Sequence, residues 1–223
     1  MNASIHPICD ALFVQPRKSA GAGRALMLVG AQGAPSVTPL ARATAEALGP
    51  GAVYAIDLDL RRNPLARAFA REHALGPRID GVLSGARFHG AIDARKAVIP
   101  APAFGFHRVG RTRIFVGAID GRLLPAGARI TLSSSPDYWN AARAGGAMSV
   151  VVAPALDQSK AALCVARHMD GVVLVVSDEK GAAPAGIAAK AALNKAGANV
   201  MGLIYVGAET PVLAFDRLLR QAG

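Results

Sequence analysis

Three small residues and two acids carry most of the chemistry this sequence offers. Gly30, Gly33 and Ser36 lie in ALMLVGAQGAPSVTPLARATAEAL (25–48), and Asp57 and Asp59 close AVYAIDLD (52–59). Glycines between a strand and a helix let backbone N–H groups face a phosphate, and the helix N-terminus adds positive potential. A hydroxyl such as that of Ser36 can hold Mg²⁺, and an acid at a neighbouring strand end completes a metal site. One group is missing. Pro35 stands before Ser36, where a lysine would neutralise the outer phosphates. A proline there also removes a donor N–H.

The acids have two readings. Followed by Arg61 and Arg62, Asp57 and Asp59 form a metal-and-phosphate neighbourhood, or they cap the next turn and pair with those arginines. A third acid belongs near the end of the strand at Val150–Val152. The chain continues there as Ala153-Pro154-Ala155, and the next carboxylate is Asp157, in an expected helix cap.

Strands and helices must alternate to bring these stations together. ALMLV (25–29) is a short apolar run bounded by glycine, read as a strand buried on both faces. Ser36 or Thr38 caps the next helix, with Pro39 in its first turn. AVYAID (52–57) is a second strand, and a turn at Asn63-Pro64 leads into a short helix. The stretch 75–86 reads as a small helix. Residues 87–112 read as loop or edge strand, because of Pro100 and Pro102. TRIFVGA (112–118), MSVVVA (148–153), DGVVLVVS (170–177) and ANVMGLIYV (198–206) read as strands. PDYWNAARA, 157–169, 184–196 and 211–220 read as helices, with Tyr138 and Trp139 as packing anchors. This order predicts an α/β fold: a doubly wound, mostly parallel sheet with helices on both faces. The turns after Val29, Asp57 and Val152 then share one edge. Residues 1–23 read as a lead-in and linker, with a short helix in IHPICDALF, and residues 24–223 as a single domain.

Composition narrows the class. The chain is 52% hydrophobic but only 5% aromatic, which suits close helix-to-sheet packing. The net charge is +10 and the pI about 10.4. The charge is mostly arginine, scattered without a long run, so it does not by itself identify a nucleic-acid surface. Cys9 and Cys164 lack metal spacing and read as small buried hydrophobes. The histidines likewise show no metal spacing. With no secretory signal and no apolar run near the ~20 residues that span a bilayer, the expected location is cytoplasmic, with the inner-membrane surface as a peripheral alternative.

These stations, in this order, resemble a family. VYAIDLDLRRNPLARAF is similar to the second motif of the cytoplasmic tyrosine kinases of bacterial capsule and exopolysaccharide synthesis, an apolar strand, two acids, then arginine and proline. That family sits among the deviant-Walker, P-loop NTPase-like ATPases that include chromosome-partitioning and division-site-placing proteins. IDGVLSGA resembles the family's short helix, LSSSPDYWNAARAGGAMSVVVAPAL its approach to the third motif, and MDGVVLVVSDEKGA and AGANVMGLIYV its last two strands. The resemblance spans about 25–206. It implies Asp57 and Asp59 as the second-motif acids and Ser36 as the nearest match to the loop hydroxyl, so that Gly30, Gly33, Ser36, Asp57 and Asp59 make up a degenerate nucleotide site. The family lysine has no counterpart, and the third-motif acid falls at Val152 or Ala153. The tyrosine-rich tail is absent, the tyrosines being Tyr54, Tyr138 and Tyr205, and HPICDALFVQP lacks the family's ring-forming pattern.

The joint loss implies a pseudokinase: a non-catalytic subunit, with no cofactor, no catalytic residue and no metal. It would support polysaccharide synthesis and export by binding an inner-membrane co-polymerase or export protein. A homo-oligomer is the other assembly implied, and no nucleic acid is expected. The first alternative is an active ATPase or tyrosine kinase that uses ATP with Mg²⁺ on Asp57 and Asp59. The second is a DNA-partitioning relative.

Overall fold

In the computed structural model, the described residues are 5–16, 22–33, 37–48, 51–80, 82–83, 86–87, 90–92, 97–98, 103–124, 130–132, 135–177, 182–206 and 213–214. Their helices and the strands of the main sheet, in chain order, are α1 (His6–Val14), β1 (Arg24–Gly30), α2 (Val37–Ala47), β2 (Val53–Asp57), α3 (Pro64–Glu72), β3 (Leu75–Asp80), β4 (Phe104–Val109), β5 (Ile114–Ile119), α4 (Asp137–Ala144), β6 (Met148–Ala153), α5 (Ala161–Val165), β7 (Gly171–Ser177), α6 (Ala182–Lys195), β8 (Val200–Val206) and β9 (Leu213–Ala214).

Every residue of β1 is buried, because helices cover both faces of the strand. Ala25, Met27 and Val29 join one core with Trp139 of α4 and Leu193 of α6, whereas Leu26 and Leu28 join the other with Leu12 of α1, Leu40 of α2 and Phe69 of α3. One apolar run thus supplies two cores by alternation. The sheet order is β9-β8-β7-β1-β6-β2-β5-β4-β3. Strands β8 to β5 are mutually parallel, and β4 and β3 add an antiparallel extension. The fold is therefore the doubly wound, mostly parallel α/β architecture expected.

Four local expectations are corrected. Residues 75–80 form an edge strand and not a helix; their partner β4 supplies a ladder from sequence-distant residues, which overrides local propensity. The adjoining Val82–Leu83 pairs with Ala86–Arg87 as antiparallel strands where the resembled family has a short helix. β4 is not loop or edge, since it lies between β3 and β5. The helix expected over 157–169 is only Ala161–Val165 followed by a 3-10 turn at Ala166–His168, because the hydroxyl of Ser159 accepts the Ala161 N–H and starts the helix late. Within the expected C-terminal helix, Leu213–Ala214 is a strand paired with β8; the remainder of 211–220 lies outside the described residues. Among the described residues no helix is long and apolar enough to cross a membrane.

The amino ends of the central strands are closed by a buried polar network. The Arg143 Nε donates to Asp170 Oδ2 at 2.8 Å, and the same oxygen accepts the Ala25 N–H at 2.7 Å. The Arg24 guanidinium reaches the carbonyls of Gln15 and Phe13 at 2.7 and 2.9 Å, satisfying the open C-terminus of α1. Asn199 donates to both Gln15 Oε1 and the Asp170 carbonyl.

Candidate functional site

At the opposite, carboxyl edge, β1, β6 and β2 lie side by side. Val152 pairs with Leu28 on one side and with Asp57 on the other. Gly33, Asp57 and Asp59 line one cavity of about 600 Å³, between the turn after β1 and helix α3. Gly30 ends β1, and its carbonyl accepts the Leu156 N–H. Ser36 and Pro35 lie outside the described residues. The edge is as expected. Its third station is apolar, because the residue abreast of Asp57 is Val152.

Asp57 is 1% exposed. Its Oδ1 accepts the Asp59 N–H at 2.8 Å and its Oδ2 the Leu65 N–H at 2.9 Å. One carboxylate thereby holds the turn and the first turn of α3. Asn63, the residue before that helix, is left-handed at φ 48°, and Pro64 starts it. Burial pushes the Asp57 carboxyl up to about 7, against the pull of its two N–H donors. The Asp59 Oδ1 accepts the Arg62 N–H at 3.2 Å. Of the two readings, capping is what the hydrogen bonds display; pairing with Arg61 or Arg62 side chains is not seen.

Among the described residues the set offered to Mg²⁺ is poor: each Asp57 oxygen already accepts a backbone N–H, the third-station acid is a valine, and half-buried Asp59 has one oxygen with no backbone donor. Among the described residues no group of three or more histidines, cysteines or acids is placed to hold a metal ion.

Two further features were not anticipated. The Asp157 carboxylate caps no helix: its Oδ1 accepts the Gly33 N–H at 3.3 Å, bridging the third station to the first. On α3 the apolar residues Leu65, Ala66 and Phe69 face the core, which turns the exposed Arg67 and Arg71 towards the cavity, where Arg62 joins them. Arg42 of α2 pairs with Glu72 of α3, tying the walls together. The four-residue spacing of Arg67 and Arg71 marks one helix face in the sequence; only the sheet edge tells which cavity that face lines. A second cavity of about 690 Å³ adjoins, with Arg61 and Lys160 over Leu58, Leu60, Ile130 and Leu132.

No protein-family model matches this chain, and no curated protein matches its sequence. Solved structures do match. The chimerical protein CapA2B2 aligns at a TM-score of 0.57 and 13% identity, over 90% of this chain and 82% of that one. The kinase domain of the Escherichia coli tyrosine kinase ETK aligns at 0.53 and 20%, over 82% and 67%. The MinC:MinD cell division protein complex of Aquifex aeolicus aligns at 0.54 and 15%, over 82% and 68%. Structural neighbours therefore include bacterial tyrosine-kinase domains and a MinD-type complex, and at these identities the likeness is one of fold.

Proposed function

We propose that this chain is a catalytically inactive, tyrosine-kinase-like subunit that supports bacterial polysaccharide synthesis and export by binding the cytoplasmic part of an inner-membrane co-polymerase. The observation that carries the reading is the use of Asp57. Each of its oxygens accepts a backbone N–H, one from the turn and one from α3, which gives this carboxylate a structural task. Pro35 in place of lysine and Val152 beside Asp57 support the same conclusion. Fold likeness to the ETK kinase domain supports the family setting. A basic surface suits the inner leaflet, where each arginine close to anionic lipid contributes about 1 kcal/mol.

The test pairs two measurements. Phosphate release and autophosphorylation with ATP and Mg²⁺ should stay at the buffer background. The purified chain should be retained by the cytoplasmic tail of a co-polymerase encoded beside it, and Asp57→Asn should leave that retention intact. Turnover abolished by Asp57→Asn would instead establish the active ATPase or kinase. Salt-sensitive retention on nonspecific DNA, without tail binding, would favour the partitioning relative.

A further inference from the structure

We propose that the β4–β5 hairpin, at the amino side of the sheet beyond the central strands, docks an acidic stretch of the partner's cytoplasmic tail through the guanidiniums of Arg111 and Arg113. This names the chemistry and landing place of the tail in the reading above, and so rests on that reading. The turn sequence RVGRTR (108–113) holds Arg108, Arg111 and Arg113 with no acid between them, and all three are exposed. The Arg113 carbonyl accepts the N–H of Val53, the first residue of β2. That bond places the tip away from both cavities of the carboxyl edge.

The turn is built to hold two of those arginines still. The Val109 carbonyl accepts the Thr112 N–H at 3.0 Å and the Thr112 hydroxyl at 2.6 Å, and that hydroxyl oxygen accepts the Ile114 N–H at 3.1 Å. Gly110 takes a left-handed φ of 51°, which glycine adopts without strain, and its N–H reaches the Ala74 carbonyl at 2.9 Å. Arg108 uses its guanidinium on the turn itself: Nε donates to the Thr112 carbonyl at 2.7 Å and Nη2 to that of Arg111 at 3.3 Å. Arg111 and Arg113 are left over. Among the described residues no carboxylate pairs with either, and Glu72, at the end of α3, turns to Arg42. Cations held in place lose little freedom on binding, and guanidinium forks match carboxylates two bonds at a time. Other anions fit this tip less well. At about 1 kcal/mol per arginine, so few charges do not hold a protein on lipid. None of the exposed large apolar side chains among the described residues, Phe13, Val14, Ile79, Leu123 and Ile187, lies on the hairpin to add to them. Nor does the tip carry an aromatic or amide side chain to stack on a base or read one.

Fluorescence anisotropy on the full chain uses a labelled peptide of alternating glutamate and serine, and then the tail. Binding is expected at low salt and should weaken as salt rises. Arg111→Gln with Arg113→Gln should weaken both ligands by about tenfold or more, mostly through slower association, at an unchanged melting temperature. Arg61→Gln with Arg62→Gln, an equal loss of charge at the opposite edge, should leave affinity within about twofold. No binding of the acidic peptide at low salt, unchanged affinity in the Arg111 and Arg113 double variant, or an equal loss in the Arg61 and Arg62 variant would each overturn the proposal. So would hairpin-dependent retention on DNA or anionic vesicles by a chain that ignores the peptide. Tail capture that survives the hairpin variant removes this surface and leaves the inactive-subunit reading standing. Hairpin-dependent peptide binding without tail capture removes the tail-binding reading and leaves the acidic-peptide surface standing.

Discussion

At the amino ends of the central strands, Arg143 is 2% exposed and shares Asp170, itself 1% exposed, with the Ala25 N–H. At the carboxyl ends, Arg62, Arg67 and Arg71 stand exposed around a cavity that Asp57 and Asp59 also line, each Asp57 oxygen accepting a backbone N–H. The same side-chain types are used for closure at one end and left open at the other. Buried charge is tolerated only when every lone pair and donor is answered. Exposed guanidiniums carry no such demand, and so are available to something outside the chain.

Breaking the closed end should have the largest effect. Asp170→Ala leaves the Arg143 guanidinium buried and unpaired, and should lower unfolding free energy by about 3–5 kcal/mol in urea titrations. Replacing both, Arg143→Met with Asp170→Leu, should recover much of that loss. Second comes Asp57→Ala, which strips acceptors from two backbone N–H groups and should cost about 1–3 kcal/mol.

Asp57 also sets a pH dependence. Its carboxyl is raised from 3.8 to about 7, so the native protein holds this proton more tightly than the unfolded chain. Stability should then fall as pH rises from about 4 to about 7 and level off above. Asp57→Asn should abolish that slope in melts at matched ionic strength; a slope that persists would show that other groups set it.

Third, Arg24→Met removes two donors from the C-terminus of α1 and should cost about 1–2 kcal/mol. Hydrogen exchange should locate the loss in α1. Smallest is the open end: Arg67→Gln with Arg71→Gln should stay within about 0.5 kcal/mol of the parent. A large loss there would mean that these arginines are structural and would erase the contrast between the two ends.

The layered sheet was legible because ALMLV, VVVA and VVLVV are runs that only a doubly covered strand can bury. Asp57 and Asp59 were legible as a pair at a strand end. Their bonding was not, because an acid at such a place serves a metal or a backbone N–H equally well until the following turn is built. The strand at Leu75–Asp80 was misread for a different reason: its ladder comes from Phe104–Val109, and no local pattern announces a partner that distant. The Asp157–Gly33 bond and the orientation of Arg67 and Arg71 also depend on elements brought together by the sheet.

The edge strand β3 has a consequence for how the molecule behaves in company. Among the described residues it is the outermost strand on its side, its residues 77–80 exposed. A bare edge invites a neighbour's strand to join it. Here Pro77 offers no N–H, the register slips between Leu75 and Arg78, and Arg78 and Asp80 put charge on the rim. Sheet growth from molecule to molecule is therefore discouraged at this border, and a concentrated stock should resist fibre formation there for as long as Pro77 remains.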